Sequence, residues 1–443
     1  MANKGSLFQM EGVPPLGQVV PLGMQHVVAA IVGVVTPALL VSNTCGLEGG
    51  DRTIMVQVSL LITALTTLLQ LYPLGRVGAG LPVIMGVSFA YVPTLLAIGG
   101  QFDLPTILGA QIVGGMVAII FGIFLKQLRV FFPPLVTGTV IFTIGLSLYP
   151  TAVRYMAGGA GSDSFGSPQN WLVAIITLAV VIFFNHFTKG TAKLAAILIG
   201  MVAGYVVALA MGMINFDSVR SAPYFQVVAP LHFGLKFNVS ACISMAIMYV
   251  VNSVQTIGDL SSTTLGGMDR VPTDRELSGG IMAQGLGSVI GAFFGALPTA
   301  SYSQNVGIIT VNRVVNKMVF LFASGVLLVA GFIPKFASAL TTIPQSVIGG
   351  ATISVFATIT MTGMRMITSD GLSPRNVAVV GLAVALGVGV TSVPGCLGGF
   401  PAWVTTVFGS SSVVIATLAA ILLNQILPKP QEAKEAKNEA GPA

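Results

Sequence analysis

Long apolar stretches dominate this chain, broken at near-regular intervals by short clusters of polar, glycine and proline residues. A helix needs about 20 mostly apolar residues to cross the hydrocarbon core of a bilayer. Measured against that length, the pattern predicts fourteen membrane spans. They fall near residues 18–41, 55–73, 82–99, 105–125, 130–150, 170–186, 193–213, 238–257, 277–296, 301–311, 316–334, 343–362, 376–393 and 402–427. The expected fold class is therefore an all-α membrane protein. Residues 1–16 hold Glu11, Pro14 and Pro15 and lack the apolar core of a cleavable signal. The tail from Lys429 is charged and rich in small residues, a composition expected to stay disordered.

Lysine and arginine in the connections set orientation, because basic residues favour the cytoplasmic side. With the N-terminus inside, the cytoplasmic set is Lys4, Arg76, Lys126, Arg129, Lys189, Lys193, Arg270, Arg275, Arg313, Lys317, Arg365, Arg375, Lys429, Lys434 and Lys437. Only Arg52, Arg154, Arg220, Lys236 and Lys335 fall outside. The asymmetry fits fourteen crossings of an inner membrane with both termini cytoplasmic.

Composition narrows the class further. Of 443 residues, 54% are hydrophobic and 8% charged, against about 25% charged in soluble domains. With a mean hydropathy of +0.90, such a chain cannot clothe a water-facing surface. A soluble enzyme, a disordered chain and a nucleic-acid binder are excluded. The formal charge of +6 belongs to membrane orientation, not to nucleic acid.

Spans three and ten depart from the rest. Span three begins GLPVIMGVSFAYVP over 80–93, with Pro82, Gly86 and Pro93 inside it. Span ten reads PTASYSQNVGIIT over 298–310, with Pro298 before it and Gly307 within. Each is third in its half of seven. Interrupted segments at corresponding places in two halves point to an inverted-repeat transporter and its binding site. The expected organisation is a first seven-span repeat at 17–213, an extracytoplasmic connection at 214–237 and a second repeat at 238–427. The termini, 1–16 and 428–443, flank it. Interrupted backbone at mid-membrane must face protein or a polar cavity. A helix starting there offers free N–H groups and a partial positive charge to a ligand.

Polar side chains within spans are costly and commonly functional. Span eight carries Asn252, Gln255, Asp259 and Ser262; Gln255 and Asp259, four apart, share a helix face. Span nine carries Gln284 between small residues, and span one carries Gln25 and His26. Span ten carries Ser301, Tyr302, Ser303, Gln304 and Asn305 in a row. Amides present an acceptor and two donors in one plane, the complement of a flat heterocycle edge. Phe89, Tyr91 and Tyr302 could pack on such a ring. A neutral planar solute fits this set better than a metal ion or a lipid, and no cofactor is expected.

These residues resemble the nucleobase–ascorbate transporter family, also called nucleobase–cation symporter 2. The resemblance runs from about Gln25 to Leu427. It rests on Gln25-His26, GLPVIMGVSF in span three, GDLSSTT from Gly258, and QGLGSVIGAFFGALPTASYSQNVG. The family signature reads here Gln304, Asn305, Gly307, Asn312 and Arg313, with Asn312 where a threonine is usual. The resemblance implies a seven-plus-seven inverted repeat with core and gate domains, segments three and ten being broken by short extended stretches. Spans one to four and eight to eleven would form the core, and the rest the gate. It further implies substrate contact by Phe89, Gln255, Tyr302, Ser303, Gln304 and Asn305. His26, Asp259 and Gln284 would support the site or couple transport to an ion. Gln255 and Gln284 stand where purine-transporting members usually carry Glu and Asp. An amide cannot titrate, so proton coupling would fall to Asp259 or His26.

The reading that follows is a permease importing a nucleobase, a purine such as xanthine or uric acid, by proton symport. Its partners are the nucleobase, the lipid bilayer, a coupling proton or sodium ion, and a second copy in a homodimer. A pyrimidine (uracil) permease or an uncoupled facilitator is the alternative. An anion transporter of the same architecture ranks lower, because the nearest cations, Arg313 and Lys317, lie at the far cytoplasmic end. A membrane enzyme would need a reactive constellation that His26, His186 and His232 do not form.

Overall fold

The computed structural model describes residues 7–159, 162–393, 395–409 and 411–428; Lys4 and the tail from Lys429 lie outside these. Helices stand where most spans were expected. They are Leu16–Thr44 (span one), Gly49–Leu71 (two), Leu104–Ile123 (four), Pro134–Met156 (five), Pro168–Phe187 (six) and Ala196–Ala210 (seven). In the second half they are Val239–Met268 (eight), Asp274–Phe294 (nine), Lys317–Gly331 (eleven), Gln345–Ser369 (twelve) and Pro374–Ser392 (thirteen). Side-chain caps fix several starts by satisfying first-turn N–H groups. Asp103 accepts from the Thr106 N–H at 3.0 Å, and Asn238 accepts from those of Ser240 and Ala241 at 3.0 and 3.2 Å. Thr273 and Glu276 form a reciprocal capping box on span nine.

Among the described residues, nine helices are long and apolar enough to cross a membrane. A tenth is reached by joining Lys317–Gly331 to Pro334–Thr341, which is bent from it by 83°. Length alone therefore stops short of fourteen. Three expectations change. Span fourteen is not one rod: it is divided into helices Ala402–Gly409 and Ser412–Ile426. Span eight runs on to Met268, eleven residues past its expected end at 257. Its polar face continues a helical pattern that hydropathy alone cuts short. The turn after span eleven, expected as a loop, is the bent helix Pro334–Thr341.

The helices sort into two packed groups. Spans one, two, four, eight, nine and eleven, with the pieces of three and ten, pack mainly on one another. Spans five, six, seven, twelve, thirteen and the helix Ser412–Ile426 form the other group, and the short helix Ala402–Gly409 contacts both that group and span eight. Between membrane helices, close approach rests on small residues. A Cβ on Gly363 of span twelve would sit 2.3 Å from the Phe142 nitrogen of span five, and one on Gly285 would sit 2.5 Å from the Gly115 carbonyl oxygen. Side chains join the two groups at Thr94 and Ser411, whose hydroxyl oxygens are 3.3 Å apart, and at the Phe89 and Phe356 rings, 5.5 Å apart edge to face.

Spans three and ten meet within the first group as two short strands. β1 (Met85–Val87) pairs antiparallel with β2 (Thr299–Ser301), with Gly86 opposite Ala300. The pairing continues outward: the Tyr302 N–H donates to Ile84 O at 3.1 Å, and the Ser88 N–H to Pro298 O at 3.2 Å. Thr67 of span two caps the edge, donating to Met85 O at 2.9 Å and accepting from the Met85 N–H at 3.0 Å. Non-helical backbone survives at membrane depth only when satisfied in this way. Gly86 is required by space, since a Cβ there would meet the Thr63 hydroxyl oxygen at 2.4 Å. A single helical turn, Phe89–Tyr91, and the helix Val92–Gln101 follow β1; the helix Ser303–Asn312 follows β2.

The connections contact one another in two sets. Lys126 pairs with Asp274 at 2.8 Å, Arg275 donates to Gly75 O at 2.6 Å, and the Val315 N–H donates to Leu7 O at 3.0 Å. All six residues belong to connections expected inside. His232 meets Asp51 at 2.8 Å, Lys236 pairs with Asp103, and Lys335 sits 4.3 Å from the Tyr224 ring centroid. These six belong to connections expected outside.

Candidate functional site

The crossing of β1 and β2 gathers most of the expected site residues. The helix Ser303–Asn312 starts there, so its first N–H groups have no partner within the helix. Gln304 is exposed in this first turn, and no side-chain hydrogen bond to it occurs among the described residues. Ser303 is also exposed, but its hydroxyl donates to Asp259 Oδ1 at 2.8 Å. Ser301 donates to Asp259 Oδ2 at 2.6 Å. Asp259, itself buried, thus clamps span eight to the strand and helix start of span ten. Gln255 lies one turn earlier on the same face, half-buried, 3.5 Å from the Asn252 amide nitrogen. Phe89 lies at the other half-helix, against Phe356.

Other expected residues are committed inside the protein. Tyr302 turns back, its phenol donating to Val87 O at 2.5 Å while its ring covers Gly33 of span one. Asn305 is fully buried and donates to His26 twice, to Nδ1 at 3.1 Å and to the main-chain oxygen at 3.0 Å. His26 therefore offers Nδ1 as an acceptor and carries its proton on Nε2. Its ring lies 4.5 Å from that of Phe320. Seven residues on, Asn312 donates to Gln25 at 3.3 Å. Two of the three signature amides, Asn305 and Asn312, thus hold span one.

Gln284 is the hub of the buried network. Its amide nitrogen donates to Tyr91 Oη and Asn252 Oδ1, both at 2.8 Å, and its oxygen accepts from Thr256 at 2.5 Å. Thr299 of β2 donates to its main-chain oxygen at 3.2 Å. One side chain therefore ties spans three, eight and nine together. Tyr91, expected as a ring that could pack on a ligand, is fully enclosed beside Tyr249 and serves this network instead. Thr256 is the network member that sequence reasoning missed, and Tyr91 the one to which it gave a different role. A signal existed for the first: polar residues 252, 256, 259 and 263 recur at one-turn spacing on a single buried face of span eight.

The assembled surface offers amide groups, free main-chain N–H groups and an aromatic edge, with one carboxylate already occupied by hydroxyls. Such a surface recognises planar polar edges by hydrogen bonding. It holds no nucleophile–base pair, and among the described residues no cluster of potential metal ligands occurs.

A family model described as a permease family matches residues 17–396. The chain is 33% identical to "Xanthine permease" of Bacillus subtilis over 432 residues, covering 96% of this chain and 97% of that one. It is 34% identical to "Uric acid permease PucJ" of the same organism, covering 92% of each. It is 32% identical to "Xanthine permease XanP" of Escherichia coli, covering 96% of this chain and 95% of that one. Among solved structures, the transmembrane domain of the cyanobacterial bicarbonate transporter BicA shares the fold, with a TM-score of 0.62 at 15% identity. That match covers 94% of this chain and 99% of the other. Murine Slc26a9, titled an anion transporter in the inward-facing state, gives 0.63 at 9% identity over 92% and 68%. The chain is a multi-pass membrane transporter, not an enzyme, and belongs to the nucleobase–ascorbate transporter family.

Proposed function

We propose that this chain is a permease importing a purine nucleobase, xanthine or uric acid, across an inner membrane by proton symport. The observation that carries the reading is the crossing of β1 and β2, which brings two half-helices to one point among amide and hydroxyl groups, with the carboxylate of Asp259 held by Ser301 and Ser303. The base lies against Phe89, with Gln255, Gln304 and the first N–H groups of the Ser303–Asn312 helix reading its polar edge. Ser303, Tyr302 and Asn305 shape that edge by main chain and packing, and His26 and Gln284 hold the frame. Asp259 and His26 are the titratable groups available for coupling. Relatives named xanthine and uric acid permeases support the purine class.

The chain crosses fourteen times in two inverted repeats, 17–213 and 238–427, with both termini cytoplasmic. The sorting of connection contacts into two sides supports that alternation. The group of spans one to four and eight to eleven is the core, and the other group is the gate, through which two copies form a homodimer. Transport follows from movement of core against gate about the fixed site.

The test is uptake of labelled xanthine in cells, competed by unlabelled xanthine, uric acid, hypoxanthine, guanine, adenine and uracil, with and without a protonophore. Purines should compete, the protonophore should abolish accumulation, and Gln304→Ala should lose uptake. Dominant competition by uracil would favour the pyrimidine reading. Accumulation that survives the protonophore excludes proton symport.

A further inference from the structure

An arginine in the first turn of a helix meets free N–H groups that already carry partial positive charge, an unfavourable neighbourhood unless an anion joins it. Arg52 stands there in the Gly49–Leu71 helix, in a connection expected outside, and that helix start has no side-chain cap. We infer that Arg52, with Tyr155 and Asn43, forms an outer station that takes the anionic form of an oxidised purine, such as urate, on its way to the strand crossing. This rests on the purine reading and the orientation above, and adds a second binding site to them.

The arginine is uncommitted. Its side chain is half-buried, and its Nε is enclosed without a hydrogen-bond partner. None of the ion pairs among the described residues includes it. The acidic groups of the neighbouring connections are used elsewhere, Asp51 by His232 and Asp103 by Lys236. Glu48, one turn earlier, is exposed and forms no ion pair with it. A desolvated donor left without a partner is a cost that the fold does not recover and that a bound acceptor would.

Two further polar groups complete the station. Asn43 lies at the end of span one and Tyr155 at the end of span five, so the station sits on the boundary between the two packed groups. The Asn43 amide nitrogen donates to Tyr155 Oη at 3.4 Å, and that hydroxyl donates to Leu40 O at 3.5 Å. Both contacts are at the limit of a hydrogen bond, so a better partner displaces them. Arg52 and the Tyr155 phenol lie within electrostatic reach of each other. A guanidinium offers a planar fork of donors, the complement of an anion whose charge is spread over neighbouring oxygen and nitrogen atoms of one ring. The amide and the phenol can each donate or accept at the same edge. The strand crossing holds no such cation: Arg270 and Arg313, near its residues in sequence, pair with Glu276 and Asp269 at helix ends. Arg52 therefore acts on capture of the anion, not on its hold at the crossing.

The test measures uptake of labelled uric acid and labelled xanthine, or inhibition of one by the other where only one is carried. It is run at one mildly acidic pH, where uric acid is mostly the anion and xanthine mostly neutral. In Arg52→Gln, the KM or inhibition constant for uric acid should rise by about tenfold and that for xanthine by much less, the loss falling on KM and not on maximal rate. Arg52→Lys keeps the charge without the fork and should give a smaller rise. An equal rise for both purines, no rise for uric acid, or a fall in maximal rate alone overturns the inference. So does a parent that carries xanthine but neither carries nor is inhibited by uric acid. If Arg52→Gln does not reach the membrane, Arg52→Lys decides: it must weaken uric acid more than xanthine, or the inference falls. A parent that carries no purine overturns the purine reading itself, a result distinct from a parent that carries uric acid regardless of residue 52.

Discussion

At the scale of single residues, Gln284 shows how a polar group earns its place in a membrane interior. Both its N–H donors and its oxygen are used, and each partner is itself buried. Gln284→Leu strands the Asn252 amide oxygen, and leaving a buried polar group unpaired costs about 1–3 kcal/mol. A single interhelical hydrogen bond in a membrane averages only about 0.6 kcal/mol, so the stranded partner is the larger effect. Thermal unfolding in detergent should register a loss in the higher range; a change under about 0.5 kcal/mol contradicts the hub role. Outside the spans, Asp103 gives a pH-dependent contribution. Partial burial pushes its carboxyl up, but hydrogen bonds from Lys236 and Thr106 together with the Lys236 charge outweigh it, and the net position is lowered. A carboxyl held lower in the folded chain stabilises above its unfolded value and loses that benefit as pH falls through the folded one. Stability should therefore decline with acidification in the acid range, and Asp103→Asn should flatten that decline. Because the group is exposed, the effect is small.

At the scale of elements, the strand crossing depends on a missing side chain. Any Cβ at position 86 would collide with Thr63 of span two. Gly86→Ala should therefore reduce uptake sharply while the chain still reaches the membrane, and Thr63→Ala should restore part of it. The coupling between the two changes is the readout; equal losses in the single and double variants would show that the collision is not the cause. The existence of spans three and ten as broken segments was legible in sequence, because proline and glycine interrupt helical runs at matching places. Their pairing was not, since Met85 and Ser301 come together only when the two halves fold on each other. The division of span fourteen had a local signal in the run Gly409, Ser410, Ser411 and Ser412, which a span-length measure of hydropathy averages away against the apolar residues on either side.

For the whole molecule, the two groups share a continuous apolar face, with Val140, Ile144, Leu148 and Phe356 packed in one core with the other group, and only a few polar contacts cross it, a surface along which one group could slide on the other. Thr94 and Ser411 bridge them through hydroxyls 3.3 Å apart. In a chain freed of Cys45, Cys242 and Cys396, the pair Thr94→Cys and Ser411→Cys should form a disulfide under oxidation. If the groups move against each other, uptake should stop on oxidation and return with reductant. Full uptake by the oxidised, cross-linked chain would mean that this contact does not open during transport.

The sequence by itself determined where apolar helices lie, which segments are broken and which side the basic connections favour. These follow from local facts: the thickness of a bilayer, the backbone limits of proline and glycine, and the cost of moving charge across lipid. It also brought Gln255, Asp259, Ser303 and Gln304 to one candidate site, because span and signature spacing place them on segments that must be polar. Only the tertiary structure decided which of the expected residues remain open to a ligand. Gln304 and the first N–H groups of its helix do, whereas Tyr91, Tyr302 and Asn305 are spent on holding spans together. Hydrogen-bonding capacity is a property of a residue, but whether a neighbour has already taken it depends on contacts between segments distant in the chain.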